Sequence, residues 1–484
     1  MLLLLPLLVA QLTLVQTHHI LVFHGCGTKS HLLLLAPLME ELLDRGNRIT
    51  SIVFSSIGIE HENLTEIVLP TDNEARAARL SNLAMQKPGS TSCKKEYCSR
   101  RRILDLKKII RFYLFSYPGL LDHRLWSFLY EAVTWDPQQF ALESVRPAEV
   151  LDLIRRKPKV DAVVTMWPTG ALFAEIFDCP IILFSPNGPF LAGPFLTQGT
   201  NQVINYNVQP LLAAPFIEPM TLMQRLANHF IGFTLQHLLG HITHQFHLHQ
   251  AAFLQKELGL VVRSPDLVLP QRVSVMLAAS HPVTHGAWPY LPNIIEVGGL
   301  HLRPARPLPA NLQMFLDNAT RGAVLVSFGS TLKAEDMSPQ MTQLFVEVFR
   351  RLELPVIWRW GGVLANPPVN LLTMPWLPQQ DLLAHTNLKV LITHGGLGSL
   401  TEAIQHKVAV VGLPLTTDQR PNMLRAERLG YGIKQDWNSL SADGLVAAVT
   451  KALGDPMMQQ NVEQVREIVI WDKIVFESDK TVIM

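Results

Sequence analysis

Charge is scarce in this chain of 484 residues: Asp, Glu, Lys and Arg together make up 17%, and the formal net charge is +1. No global field therefore draws it to nucleic acid, and a composition 48% hydrophobic does not belong to a disordered chain. Cysteine is scarce too, at Cys26, Cys93, Cys98 and Cys179 alone. The four residues between Cys93 and Cys98 are poor spacing for a zinc knuckle, but the pair is close enough to bridge in an oxidising compartment. Beyond the first residues no uninterrupted apolar run reaches membrane length. The stretch "FHGCGTKSH" lacks a third glycine, so the dinucleotide fingerprint of a nicotinamide-linked oxidoreductase is missing behind the first strand-like run.

What the chain does contain is alternation. "HILVFHG", "SHLLLLAPLMEELLDRG" and "RITSIVF" read as strand, amphipathic helix and strand, a βαβ opening that implies a parallel sheet. Further strands are expected at 160–166 and 180–185 with a helix between them, and a helical stretch at 220–258. The passage 281–309 is dense in proline and glycine, a linker composition holding one short strand, "IIEVGG". Strands near 325, 357, 373, 391 and 410 then alternate with helices. The expected fold class is α/β, with two Rossmann-like, doubly wound domains facing across a cleft and ligands at the carboxyl ends of the strands.

The opening "MLLLLPLLVAQLTLVQTHH" is too short and too early for an ordinary membrane span and ends in small and polar residues. That fits a secretory signal peptide at 1–17, although a basic n-region is missing. Glycosylation triplets at Asn63 and Asn318 agree with a route through the endoplasmic reticulum lumen. The domain bounds that follow are an N-terminal acceptor-binding domain at 18–285, an inter-domain linker at 286–308 and a C-terminal donor-binding domain at 309–484.

The densest chemistry lies in "THGGLGSLTEA", 393–403, between an apolar strand and a helix. A strand turning into a helix leaves backbone N–H groups without partners, and the helix dipole adds positive charge there, which suits phosphate oxygens. Glycines let the backbone approach such a ligand, His394 and Ser399 add side-chain donors, and Glu402 can accept from ribose-like hydroxyls. The stretch reads as a cradle for a nucleotide diphosphate.

The segment "PWLPQQDLLAHTNLKVLITHGGLGSLTEAIQHKVAVVGLPLTTDQRPNML", 375–424, resembles the signature of the UDP-glycosyltransferases, the family that includes the UDP-glucuronosyltransferases. "PNIIEVGGLH" ahead of "LPANLQMFLDNATRGAVLVSFGS" is similar to its inter-domain passage and the opening of its donor domain. The resemblance implies a glycosyltransferase-B fold in which Trp376 stacks its indole on uracil and the backbone of Leu377 reads the uracil edge. Stacking of that kind contributes about 1–3 kcal/mol per base. It also implies Gln379 and Glu402 at the ribose, His394, Gly396, Gly398, Ser399 and Ser330 at the diphosphate, and Asp418 and Gln419 at the sugar hydroxyls. Gly398 stands where many members carry asparagine, and Lys407 and Ala409 stand where glycine and proline are usual.

On the acceptor side the resemblance makes His31, in "KSHLLLL", the general base, a task imidazole suits because its pKa lies near working pH. The acidic residue that orients this histidine in the family is replaced by Met166, while Asp161 sits at the start of the same strand. The implied activity is transfer of a hexosyl group, with inversion, from UDP-glucose or UDP-glucuronate to a small lipophilic phenol, alcohol or acid. It needs no metal and no permanently bound cofactor. A UDP-sugar-binding pseudoenzyme is the alternative that Met166 raises.

Two clusters stand apart. His237, His241, His244 and His247 recur at helical spacing, and a polar face lining the acceptor side is preferred over a metal face. The basic stretch "CKKEYCSRRRILDLKKIIR", 93–111, is read as a solvated face, with peripheral contact to anionic lipid as the alternative. Animal members continue into a closing helix, a membrane span and a basic tail, whereas "VREIVIWDKIVFESDKTVIM" stops short of any span. The expectation is a lumenal or secreted form, or an incomplete sequence; a homo-oligomer is compatible with either.

Overall fold

The computed structural model describes residues 17–25, 29–70, 141–166, 168–188, 214, 216–286, 288–329, 332, 337–415 and 418–469. Residues 1–16 of the expected signal peptide, Cys26, Cys93, Cys98, the basic stretch 93–111 and Ser330 lie outside them.

The first lobe opens with β1 (His19–His24), α1 (Lys29–Asp44), β2 (Arg48–Val53) and β3 (Leu64–Val68). Then come α2 (Ala148–Arg156), β4 (Ala162–Thr165), α3 (Ala171–Phe177), β5 (Ile181–Ser185) and the long α4 (Leu222–Leu258). It closes with α5 (Pro265–Arg272), β6 (Val273–Ala278), α6 (Pro282–His285) and β7 (Ile294–Glu296). The second lobe runs α7 (Ala310–Asp317), β8 (Ala323–Ser327), α8 (Pro339–Leu352), β9 (Val356–Arg359), β10 (Leu371–Met374), α9 (Gln379–Leu383) and β11 (Leu388–Thr393). α10 (Leu397–Gln405), β12 (Ala409–Gly412), α11 (Gln419–Arg428), β13 (Gly432–Lys434), α12 (Ala442–Gly454) and α13 (Pro456–Ile468) complete it.

Each lobe is one parallel sheet. The seven-stranded sheet has the order β3-β2-β1-β4-β5-β6-β7 and the six-stranded sheet the order β10-β9-β8-β11-β12-β13. Parallel strands covered by helices are buried on both faces, which is why they are near-continuous apolar runs. All five residues of β8 and all four of β12 are buried. In the first core Phe23 meets Phe173 with ring centroids 4.9 Å apart. In the second, Trp358 packs on Phe345 and Phe349 at 5.8 and 5.1 Å.

The short strand expected inside the linker-like passage, "IIEVGG", is present as β7 at Ile294–Glu296, so the first sheet extends into the stretch read as linker. β7 pairs with β6 in the register Met276↔Ile294, so the first sheet reaches Glu296. The reason is that Ile294 is buried in the first-lobe core, and so small an apolar pair within a turn-rich passage can still complete an edge. Among the described residues no helix is long and apolar enough to cross a membrane. His237, His241 and His244 are exposed while His247 is buried, and no described group of His, Cys, Asp or Glu could hold a metal ion.

The lobes are joined by an ionic clamp. Arg425 of α11, 3% exposed, donates to Glu218 of the first lobe at 2.9 Å, and Arg428 donates to the same carboxylate at 2.9 Å. A second contact is apolar: Leu397 packs with Leu34, Leu35 and Val297. Removing one partner of a buried pair leaves the other charge desolvated. Glu218→Ala is therefore expected to destabilise the protein by about 2 kcal/mol, less than a fully buried pair because Glu218 is partly wet. Urea denaturation of the variant beside Arg428→Ala, which removes the more exposed of the two arginines, checks this; the second change should be the milder.

Candidate functional site

The site is built on the turn from β11 to α10. Gly395 has φ +81, a conformation that suits glycine, and a Cβ there would come within 2.7 Å of Met423 Cγ. Gly396 occupies the N-cap position of α10 without a side-chain cap, so the first amides of the helix are left for something outside it. A Cβ on Gly396 would sit 2.5 Å from His394 Nε2, so the glycine is what lets the imidazole fold over the turn. His394 is 8% exposed, and burial together with the Arg359 charge pulls it down to about 4, so its imidazole is neutral at working pH. Gly329, at φ +59, lies against the same ring, which brings the loop after β8 to the cradle from the other side. Ser330 follows it, outside the described residues.

Four expected ribose-side and base-side residues converge. Trp376, after β10, is 55% exposed, and Arg359 stacks its guanidinium 4.7 Å from the ring centroid. Leu377 is buried in the second-lobe core and anchors the tryptophan's backbone. Gln379 Nε2 donates to Ser399 Oγ at 2.9 Å and to Glu402 Oε2 at 2.5 Å. Burial pushes the Glu402 carboxyl up to about 7, against the opposing influence of Gln379 and Arg303. Asp418 and Gln419 are buried at the start of α11. Asn422 holds Asp418 to the turn, donating to Asp418 Oδ2 at 3.0 Å and to Gly395 O at 3.1 Å, and Gln419 Oε1 accepts from Leu415 N at 2.7 Å.

The strap between the lobes reaches the same place. His301 Nε2 lies 3.3 Å from Gly398 O and 3.8 Å from Glu402 Oε1. Arg303 grips Asp381 through two bonds of 2.7 and 2.8 Å, and Gln380 Nε2 donates to His301 O at 3.0 Å. A Cβ at Gly398 would stand 3.3 Å from Leu34 Cδ2 of α1. The absent asparagine side chain is thus accompanied by close approach of the first lobe.

His31 lies in the first turn of α1, half-buried, and burial pulls its imidazole down to about 4. Met166 follows β4, whose Thr165 pairs with Phe23 of β1, and packs with the apolar cluster of Val164 and Phe184. It therefore offers His31 no hydrogen bond. Asp161 is at the opposite end of that strand, accepting from His19 N at 2.8 Å.

Sequence reasoning missed three residues. His24 is fully buried, neither ring nitrogen has a hydrogen-bond partner among the described residues, and its ring stands edge-on to His31 at 6.4 Å between centroids. Arg359 and Asn422 were the others; the signal for Arg359 was a lone cation ending the apolar "PVIWRW".

Glu402 gives a linkage test. Its folded pKa lies above the unfolded value, so the stability this group contributes is present at low pH and lost as pH rises through about 7. Between pH 5 and 8 the folded protein should lose about 2 kcal/mol from this one carboxylate. Glu402→Gln should lack that loss, as read by urea denaturation of both proteins at the two pH values.

With this geometry in view, the comparisons with known proteins take on meaning. The family model described as UDP-glucoronosyl and UDP-glucosyl transferase matches residues 148–482. The UDP-glycosyltransferase UGT5 of Dactylopius coccus is 30% identical over 330 residues, 66% of this chain and 60% of that protein. The mouse (Mus musculus) UDP-glucuronosyltransferase 2A3 is 26% identical over 450 residues, 91% of this chain and 78% of its own length. The chain thus spans less than two thirds of the first relative and more of the second. Among solved structures the glycosyltransferase SnogD of Streptomyces nogalater aligns with TM-score 0.54 and 18% identity, over 93% of this chain and 95% of that one. That likeness speaks to the fold, the two-domain glycosyltransferase-B architecture. On the family model the assignment follows: this chain belongs to the UDP-glucoronosyl and UDP-glucosyl transferase family.

Proposed function

We propose that the protein transfers a hexosyl group, glucose or glucuronate, from a UDP-sugar to a hydroxyl of a small lipophilic acceptor, with inversion. The observation that carries this reading is the convergence of Trp376, Gln379, Ser399, Glu402 and His394 around the uncapped start of α10. An exposed indole suits a base, a Gln–Glu pair suits a ribose, and unpaired amides beside a neutral imidazole suit a diphosphate. Asp418 and Gln419 are left for the sugar hydroxyls.

In this mechanism His31 is neutral at working pH, because burial holds its pKa near about 4. It takes the acceptor proton as the oxygen attacks the anomeric carbon. The bond from that carbon to the diphosphate oxygen breaks in the same displacement, and UDP leaves with its new charge facing the α10 amides and His394. Met166 supplies no carboxylate to steady the developing imidazolium, so the chemical step is slower than an Asp–His pair would make it.

Two variants separate binding from chemistry. His31→Ala should lower kcat about 100- to 10,000-fold, the range of general-base catalysis, with UDP affinity unchanged. Trp376→Ala should weaken UDP binding by about 1–3 kcal/mol. The assay is UDP release from UDP-glucose and UDP-glucuronate over a panel of phenols, beside calorimetry with UDP. The histidine's low pKa further predicts no acid limb in kcat/KM near pH 6.5, its ordinary value; a clear limb there would remove His31 as the base described.

A further inference from the structure

Two cations from opposite lobes meet on one indole. The Arg359 guanidinium lies 4.7 Å from the Trp376 ring centroid and the Lys29 ammonium 5.9 Å from it. Arg359 ends β9 of the second lobe, whereas Lys29 is the first residue of α1 in the first. Lys29 makes no ion pair among the described residues, and the first turn of α1 holds no acidic side chain. At close to the outer limit of about 6 Å, its contact with the ring is weak. A uracil stacking on Trp376 needs a ring face, and the more distant, more flexible cation is the one that gives way.

Where that cation goes is set by its surroundings. Leu34, on the next turn of α1, stands against the Gly398 backbone, so the start of α1 faces the start of α10. Both helix starts direct positive dipole ends into the cleft, with the Arg359 guanidinium beside them and no described carboxylate paired with Lys29. A surface that gathers positive charge on both walls is complementary to a polyanion.

We propose that Lys29 is a donor-binding residue supplied by the first lobe: its ammonium leaves the Trp376 ring for the diphosphate when the UDP-sugar enters, closing the phosphate cradle from the side opposite the α10 amides. This rests on the reading of the second lobe as a UDP site. Because His31 lies two residues further along α1, the same contact draws the base toward the donor.

Calorimetry of the full chain with UDP and with uridine tests it. Lys29→Met should weaken UDP binding about tenfold, the scale of one charge-assisted contact, and leave uridine within about twofold. Lys29→Arg should keep most of the UDP affinity, and Lys29→Gln should repeat the methionine result should that variant fold poorly. Raising the salt should weaken UDP binding more in the natural protein than in Lys29→Met. An unchanged or tighter UDP affinity in Lys29→Met would overturn the proposal, leaving the lysine a resting contact on the indole. Equal weakening of UDP and uridine would overturn it too, pointing to a structural role. The natural protein is titrated first: if it binds no UDP, the underlying reading fails, an outcome distinct from failure of the Lys29 assignment.

Discussion

The amides at the start of α10 have no side-chain cap, and the arrangement around them follows from keeping them accessible. The β11–α10 turn can leave them bare because Gly395 takes a left-handed conformation and Gly396 leaves room for the His394 ring. Met423 packs where a side chain at 395 would be, which ties the turn to α11. Asn422, one residue earlier on that helix, fastens Asp418 to the carbonyl of Gly395. A single backbone decision thus fixes the cradle and the start of α11 together.

Burial then sets the electrostatics. Glu402 and His394 are both moved toward their neutral forms by desolvation, the carboxyl upward and the imidazole downward. Around groups withdrawn from water in this way, hydrogen bonds and dipoles act more strongly than in water. Two buried charges are held in ion pairs: Asp381 with Arg303, and Arg425 with Glu218. Both pairs bind second-lobe helices to elements outside that lobe, so they determine which surfaces face the cleft as well as how firmly the parts hold.

The first lobe shows a different balance. At the ends of β1 and β4 the chain places His24 and Met166, one an imidazole with no side-chain hydrogen bond among the described residues and the other apolar. The lowered pKa of His31 has burial as its cause. What the first lobe contributes to the second is contact: Leu34 against Gly398, Lys29 over Trp376, and the strap residue His301 against the Gly398 carbonyl.

Much of this was legible in the residues themselves. Alternating apolar runs and amphipathic helices announce parallel sheets because a strand buried on both faces has to be apolar along its length, and β8, β11 and β12 fall where those runs are. The glycine-rich turn was legible because only glycine tolerates Gly395's backbone, so local conformation leaves a mark on composition. The edge strand β7 was legible as the short run "IIEVGG", but its pairing with β6, which makes it the edge of the first sheet, was not. Nor were the roles of Arg359, Asn422 and His24: their meaning depends on an indole, a carbonyl and an imidazole supplied by segments distant in the chain or by the next element. The sequence by itself determined the layered fold and the uncapped turn, because both arise from short-range sterics and periodic burial. Only the tertiary structure decided which side chains share the cleft and how burial moves their protons, because desolvation and cross-lobe contact exist only once the two sheets are folded against each other.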